Sequence, residues 1–377
     1  MSDKTAVNPG IGMTTLAYER PLGKLFLGDS YKSLAAPPLT KYRGKVQLVL
    51  TSPPFPLNRK KKYGNLQGDA YVEWLAEYAP RLAEYLTDDG SIVIEVGNGW
   101  DPGQPTVSTL AIEALLAFKK RANLHLCQEF ICFNPARLPS PAQWVTVERC
   151  RVKDAFTRVW WMSPTPRPKA DNARVLTEYS PAMRKLLERG TYNPGIRPSE
   201  HRIGVTSFLA NNGGAIPPNV LIPSANAIVQ ELLASQTDAV DVLAIANTAT
   251  MDPYQRYCRK NGILQHPARM PMKLVQFFVD FLTEPNDVVM DPFAGSNTTG
   301  FVADLRQRRW VGIEADRHYA LTSEERFKHY ETEGISPLFG ESLQFGGKNG
   351  FAKLRQKRAT VQSRRVVSGV IRHARRA

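Results

Sequence analysis

At 377 residues, 42% hydrophobic and 22% charged, the chain has the material for one large α/β domain carrying a smaller insert, or for two domains, and its bulk should fold. No apolar run reaches the roughly 18 residues of a membrane-spanning helix, and MSDKTAVNPG lacks the apolar stretch of a secretory leader, so a cytoplasmic protein is expected. The net charge of +14 is uneven: residues 348–377 hold ten of the 49 Lys/Arg and none of the 35 Asp/Glu, the pattern of a mobile phosphate-binding arm or, equally, of a solvated terminus without a partner.

In chain order, LGKLFLG (22–28) reads as a short strand ending at Gly28-Asp29, and VQLVLTSPP (46–54) as a buried apolar strand stopped by two prolines. Residues 70–86 have helical spacing, with Trp74, Leu75, Tyr78, Leu82, Tyr85 and Leu86 on or near one face. DDG (88–90) marks a turn into the strand SIVIEV (91–96). A helix over 108–121 leads to the strand HLCQEFICF (125–133), and AFTRVWWM (155–162) is a further strand. This alternation predicts a mostly parallel sheet covered on both faces. From 163 to 265 the regularity lapses into Pro, Asn, Gly and Arg, with helices predicted only at 180–190 and 226–236. That stretch is too long for a plain loop and reads as a separate module with little sheet of its own. A helix follows at 271–284, whose Pro271 suits a first turn. Then come the strand DVVMD (287–291), a turn at 292–300, a helix through Arg306 and the strand RWVGIE (309–314). The organisation expected is 20–162 and 266–330 as two halves of one domain, 163–265 as an insert, and 348–377 as a disordered basic tail.

The turn Asp291-Pro292-Phe293-Ala294-Gly295-Ser296-Asn297-Thr298-Thr299-Gly300 sits where an apolar strand ends and a helix begins, the crevice at which open α/β sheets bind nucleotides. Small residues let backbone N–H groups approach a ligand, and the helix presents its N-terminus. Glu314 ends the next strand about twenty residues later, where a carboxylate accepts ribose hydroxyls. Together these describe an adenosine site. No GxxxxGK[ST] is present, which argues against phosphate cradling. By itself, such a turn is as often an ordinary βα connection.

Thr51-Ser52-Pro53-Pro54-Phe55 closes the strand at 46–51. Its prolines fix the backbone and remove two donors, leaving carbonyl oxygens at the strand end. A hydroxyl at Ser52, a carbonyl at Pro53 and an aromatic face at Phe55 suit a flat base bearing an amino group, since acceptors take the amine hydrogens while the ring stacks. Alone, the same residues are more often a strand terminator.

The two motifs in combination resemble the amino-methyltransferases of DNA, which join [DNS]-P-P-[YFW] to an F-x-G-x-G-like turn. The resemblance covers 20–330, and TSFLANNGGAIPPN (206–219), HPARMPMKL (266–274) and GSNTTG (295–300) are particularly close to one subgroup of that family. The catalytic half precedes the cofactor half, with the irregular module between them, which is the β-class order. What this implies is an α/β protein with a circularly permuted Rossmann-like fold for S-adenosylmethionine-dependent methyl transfer. Its mostly parallel seven-stranded sheet would carry an inserted, largely irregular target-recognition module. In that family a leading Ser, as at Ser52, marks cytosine-N4 enzymes, and Asp or Asn leads more often in adenine-N6 enzymes. The residues leave both open, together with methylation of RNA and DNA binding without turnover. A cytosine-C5 enzyme requires a thiolate nucleophile, by resemblance in a Pro-Cys pair. None of Cys127, Cys132, Cys150 and Cys258 follows a proline, and their spacing matches neither zinc nor CxxC motifs, so no metal is called for.

The same resemblance implies the site. Ser52, Pro53, Pro54 and Phe55 form the acceptor pocket. Asp29, Thr51, Pro267, Lys273, Asp291, Phe293, Gly295, Ser296, Asn297, Thr298 and Glu314 surround S-adenosylmethionine, with Asp29 toward the adenosine and Pro267, Ala268 and Lys273 toward the methionine end. Asn297 stands where the broad pattern has its second Gly, implying a shifted cofactor contact. Arg59, Lys60, Lys61 and Lys62 suit flanking phosphates, although an exposed basic loop looks the same. In the module, Arg167, Lys169, Arg174, Arg197 and Arg202, with Asn211 and Asn212, are the side-chain types that contact bases and phosphates. The partners implied are duplex DNA and a cognate restriction endonuclease acting on the same site, and no membrane.

Overall fold

The computed structural model describes residues 13–55, 66, 68–134, 137–196, 198–200, 202–222, 243–244 and 253–332. The basic run at 59–62, Arg197, the helix expected at 226–236 and the tail at 348–377 lie outside these. The described residues fall into two compact units, one combining 13–174 with 218–332 and the other comprising Val175–Pro217.

In the larger unit ten strands form one sheet: β1 (Thr15–Arg20), β2 (Gly23–Leu27), β3 (Val46–Thr51), β4 (Leu86–Gly97), β5 (His125–Phe133), β6 (Phe156–Ser163), β7 (Val220–Ile222), β8 (Leu243–Ala244), β9 (Val288–Asp291) and β10 (Arg309–Glu314). Their spatial order is β1-β2-β10-β9-β3-β4-β6-β5-β7-β8. β2, β10, β9, β3 and β4 run parallel, and β6 is antiparallel to both neighbours. The seven strands from β2 to β5 in this order are the sheet the sequence predicts, with the last two in the chain inserted between β2 and β3. β1 adds an antiparallel strand at one edge, and β7 and β8 extend the other. None of these three is apparent from the hydrophobic pattern: TLAYER does not alternate cleanly, and β7 and β8 are too short to show a period. The turn expected at 88–90 lies inside β4, whose register with β3 jumps from Val46↔Leu86 to Leu48↔Ser91, so the residues leave the ladder without ending the strand.

The helices are α1 (Asp69–Ala83), α2 (Leu110–Arg121), α3 (Pro181–Arg189), α4 (Pro253–Lys260), α5 (Met272–Leu282), α6 (Thr298–Leu305), α7 (Arg317–Ser323) and α8 (Glu325–Thr332). Tyr71, Leu75, Tyr78, Ala79 and Leu82 recur along α1 at three- and four-residue spacing. With Ala111, Leu115 and Phe118 of α2 they pack on Val49, Ile92, Ile94 and Val96 of the sheet, each large side chain worth about 1.5–3 kcal/mol of burial. α5 covers the opposite face. Trp160 and Trp161 of β6 mark the division, because consecutive strand residues point to opposite faces. Trp160 joins the α1–α2 cluster, and Trp161 meets Phe281 of α5 edge-on at 5.1 Å.

The smaller unit holds α3, capped by Ser180 Oγ, which accepts from Met183 N at 3.1 Å, and ended by Gly190 at φ +70°. A ribbon pairs Gly195–Ile196 with Arg202–Ile203, Thr177 bridges Ala215, and Asn212 N donates to Tyr179 Oη at 2.8 Å. No residue of α3 is buried, so hydrogen bonds hold this unit more than an apolar core does. It is narrower than the 163–265 insert expected, since 163–174 belong to the larger unit and β7 and β8 pair into the main sheet. Among the described residues no helix is long and apolar enough to cross a membrane.

Candidate active site

Thr51, Asp291 and Glu314 end three adjacent parallel strands, and Gly28 follows the end of a fourth, so all four meet at one edge of the sheet. From this edge β9 continues through α6 to β10 on one side, and β3 through α1 to β4 on the other. Such a divergence opens a crevice at the strand ends. Asp291 ties it together. Its Oδ1 accepts from Thr51 Oγ1 at 2.7 Å and from Phe293 N at 3.0 Å, and its Oδ2 accepts from Thr299 Oγ1 at 2.7 Å. Burial pushes the Asp291 carboxyl up, and these donors offset only part of the rise. Thr51, expected against the cofactor, instead turns its hydroxyl to Asp291 as a hydrogen-bond donor and joins the two halves of the domain.

Gly295 lies at φ +53°, where a side chain is strained, and its Cβ would stand 3.2 Å from the His266 ring. Its N–H donates to Glu314 Oε2 at 2.7 Å, and Asp316 N donates to Oε1 at 2.8 Å. Burial nevertheless pushes the Glu314 carboxyl up to about 7. Phe293 is half-buried against Trp74 and Tyr78 of α1, with ring centroids 5.7 and 5.1 Å away. Asp29 caps the single helical turn Ser30–Ser33 by accepting from Lys32 N at 2.9 Å, and Ser30 Oγ donates to the Pro292 carbonyl. Asp29, Phe293, Gly295 and Glu314 are thus brought together as the sequence implies.

Two expected cofactor contacts turn inward. Asn297 is fully buried at φ +52°, its Oδ1 accepting from Gly300 N at 3.1 Å and its Nδ2 donating to Tyr18 Oη at 2.9 Å. Tyr18 shares a further 2.8 Å hydrogen bond with Ser323. Asn tolerates the left-handed region better than most residues, so here it replaces a glycine geometrically and caps α6. The Ser296 hydroxyl is held by Arg326, whose Nη2 donates to Oγ at 3.1 Å and whose Nε donates to the Ser296 carbonyl at 3.0 Å. Thr298 is buried in the first turn of α6.

A cavity of about 230 Å³ lies in the same unit, lined by residues that include Ser52, Phe55, Glu95, Cys132, Thr157 and Pro267. It is smaller than the roughly 300–1,000 Å³ of drug-sized sites and suits one small planar ring. Pro53 and Pro54, between Ser52 and Phe55 in the chain, are buried and half-buried. The Phe55 ring lies so close to Gly97 that a Cβ there would be 2.9 Å away. Glu95 and Gly97 share one face of β4, opposite the one that Ile94 and Val96 pack into the core. Glu95 is 7% exposed and accepts from Thr157 Oγ1 at 2.9 Å and from the Ser52 hydroxyl. Burial pushes its carboxyl up despite these donors and Arg137. Burial and the neighbouring Glu95 push the Cys132 thiol up to about 12, away from the thiolate that a nucleophile needs. Glu95 belongs to neither sequence motif, although a lone carboxylate inside SIVIEV is the kind of buried charge that marks a site. Lys273, near the start of α5, has its ammonium pushed down by burial.

Not every cation expected on DNA is placed for it. Lys169 Nζ pairs with Glu284 and Asp287 at 2.8 and 2.9 Å, and Arg174 pairs with Glu284 at 3.1 Å. Asp287 directly precedes β9, so these pairs sit at the beginning of the parallel strands, the edge opposite the crevice. Their role is to tie 169–174 to the sheet. Arg167 is exposed in the larger unit, and Arg202, Asn211 and Asn212 are exposed in the smaller.

A permuted, mostly parallel sheet with a small-residue turn at its switch point and a proline-bounded cavity beside it is the fold of S-adenosylmethionine-dependent DNA methyltransferases. The DNA methylase family, whose members modify base N6 or N4, matches residues 46–325, and the chain belongs to it. It is 39% identical over 336 residues to the type II methyltransferase M.PvuII of Proteus hauseri, a match covering 87% of this chain and 92% of that protein. The solved structure of the PvuII DNA methyltransferase (cytosine-N4-specific) aligns with a TM-score of 0.62 at 34% identity, covering 84% of this chain and 90% of that one. The orphan methyltransferase M.BamHII of Bacillus amyloliquefaciens is 39% identical over 66 residues, 18% of this chain and 25% of that protein.

Proposed function

We propose that this chain methylates the N4 amine of cytosine at a specific site in duplex DNA, with the base extruded from the helix into the cavity beside the Gly295 turn. The observation that carries this reading is the convergence of Ser52, Phe55 and Glu95 on that cavity. The leading Ser52 and the similarity to a cytosine-N4-specific relative favour cytosine over adenine.

The crevice fits S-adenosylmethionine. Each Glu314 oxygen receives one backbone N–H and keeps a lone pair for a ribose hydroxyl. Asp29 and Phe293 border the same crevice, and Pro267 and Lys273 belong to the adjoining segment. When bound, S-adenosylmethionine supplies a methyl group made electrophilic by its sulfonium. The Ser52 hydroxyl points its hydrogen at Glu95 in a hydrogen bond, which leaves its oxygen to accept an amine hydrogen. With the Pro53 carbonyl it favours a pyramidal nitrogen whose lone pair is free of the ring, and the same acceptors stabilise the charge that develops on N4. Phe55 stacks on the base, held by the fixed Pro53-Pro54 backbone. The proton shed by N4 passes to Glu95, whose burial raises its proton affinity.

In this reading the unit Val175–Pro217, with Arg202 exposed, together with Arg167 and Arg197, recognises the target sequence, while Arg59, Lys60, Lys61 and Lys62 hold flanking phosphates. A companion restriction endonuclease acting on the same site completes the proposal. Nucleoside analysis and mapping of modified bases in DNA from cells expressing the chain test it. N4-methylcytosine at one recurring sequence is expected. N6-methyladenine overturns the choice of base, and unmodified DNA overturns the activity. Ser52→Ala and Phe55→Ala should each slow single-turnover methylation while sparing cofactor affinity, the stacking loss alone being about 1–3 kcal/mol.

A further inference from the structure

β5 and β6 are paired to their ends, with Phe133 opposite Phe156. Yet 134–155 joins them, where hairpin connections commonly take roughly 2–5 residues. The lobe is firmly based: Asn134 N donates to the Ala155 carbonyl at 2.6 Å, Arg137 Nη1 to the Phe156 carbonyl at 3.2 Å and Lys153 Nζ to the Arg137 carbonyl at 3.3 Å. Arg151 donates to Asp154 and to the Pro105 carbonyl, both at 3.0 Å, and Trp144 is buried with its ring 6.2 Å from Trp100.

From this base Leu138 projects 79% exposed, and Val147 and Val152 of the same lobe are exposed as well. Its position separates it from those two and from scattered surface leucines: Asn134 and Arg137 line the acceptor cavity, so Leu138 is one residue from the cavity wall. Arg149 and Lys153 are exposed on the same lobe against one exposed carboxylate, Glu148, which leaves its surface net positive. Extruding a base leaves a gap in the stack, and apolar wedges entering between base steps are a recurrent way to hold such a distortion. We propose that the 134–155 lobe docks on the duplex beside the target base and that Leu138 fills the place the base vacates. This inference rests on the proposed function, since a wedge has a purpose only where a base leaves the helix.

The test uses the full chain and two duplexes carrying the mapped target sequence. One is fully paired, and in the other the target cytosine faces an abasic site, so that extrusion needs little help. Leu138→Ala is expected to slow single-turnover methylation of the paired duplex about tenfold, and to come within about threefold of the parent on the abasic duplex, because the unstacking penalty is then largely removed. Leu138→Phe, still an apolar wedge, is expected to keep near-parent rates on both. Cofactor affinity, measured on each variant, is expected to stay at the parent value and so reports an intact fold. Parent-like rates for Leu138→Ala on the paired duplex overturn the wedge, and so does an equal loss on both duplexes. A parent chain that leaves the paired duplex unmethylated is a separate result, and it overturns the proposed function along with the wedge.

Discussion

Titrating the protein with S-adenosylmethionine from about pH 5.5 to about 8.5 isolates the contribution of Glu314. Burial lifts this carboxyl from its ordinary 4.5 to about 7 even though two backbone N–H groups donate to it. At 1.36 kcal/mol per pH unit, keeping it ionised in the native state costs about 3 kcal/mol above neutrality. Because the folded value lies above the unfolded one, the chain takes up a proton on folding. The associated stability is full below about pH 4.5 and is lost as pH rises through about 7. Ribose hydroxyls donating to Glu314 favour the carboxylate, so cofactor binding should expel that proton. Affinity should therefore rise with pH, approaching tenfold per unit below about pH 7, and level off above it. Glu314→Gln keeps the shape without the titration; its affinity should be lower by about 1–3 kcal/mol and nearly flat with pH. Calorimetry in buffers of different ionisation enthalpy counts the protons released. A parent affinity independent of pH with no proton release refutes this account, and so does a folded Glu314→Gln variant that binds as tightly as the parent.

Tyr18→Phe removes the buried partner of Asn297 and Ser323 and should cost about 1–3 kcal/mol in urea denaturation. In an Asn297→Gly background the cost should shrink, since glycine takes φ +52° without the Tyr18 hydroxyl; equal costs in both backgrounds would dissolve the network. Gly97→Ala should displace the Phe55 ring and slow methyl transfer while leaving the cofactor dissociation constant unchanged, and a parent-like single-turnover rate would deny Phe55 its stacking role. Deleting 348–377 removes ten cations and should flatten the salt dependence of DNA binding; identical slopes for both lengths would mean that the tail does not touch DNA.

The strands that make the crevice are legible because their chemistry is local. VQLVLT and VVMD are largely apolar runs buried along their whole length, as parallel strands covered on both faces are, and the prolines and small residues after them announce where each stops. What a residue does after the strand stops depends on distant partners. Asn297 reads as a cofactor contact because a glycine is missing from a pattern, but its side chain answers to Tyr18, 279 positions away. Ser296 is likewise claimed by Arg326. Lys169 and Arg174 have the chemistry of phosphate contacts, and only the folded sheet shows that they sit at its other edge, paired with Glu284 and Asp287. Glu95 was visible as a charge in an apolar strand, but its worth depends on Ser52 and Thr157, which three-dimensional packing brings to it.

The hydrogen bond between Thr51 and Asp291 joins residues 240 positions apart. A ribosome adds roughly 5–20 residues per second, so roughly 12–48 s pass between the synthesis of one partner and the other. Throughout that interval β2 and β3 exist, yet the two strands that will lie between them have not been made. Two long-lived apolar edges on a nascent chain are the surfaces on which aggregation begins and chaperones act. The methyl-transfer machinery closes only when β9 and β10 slot into the middle of the sheet. An interrupted message therefore yields a chain that is sticky and inert rather than a weak enzyme.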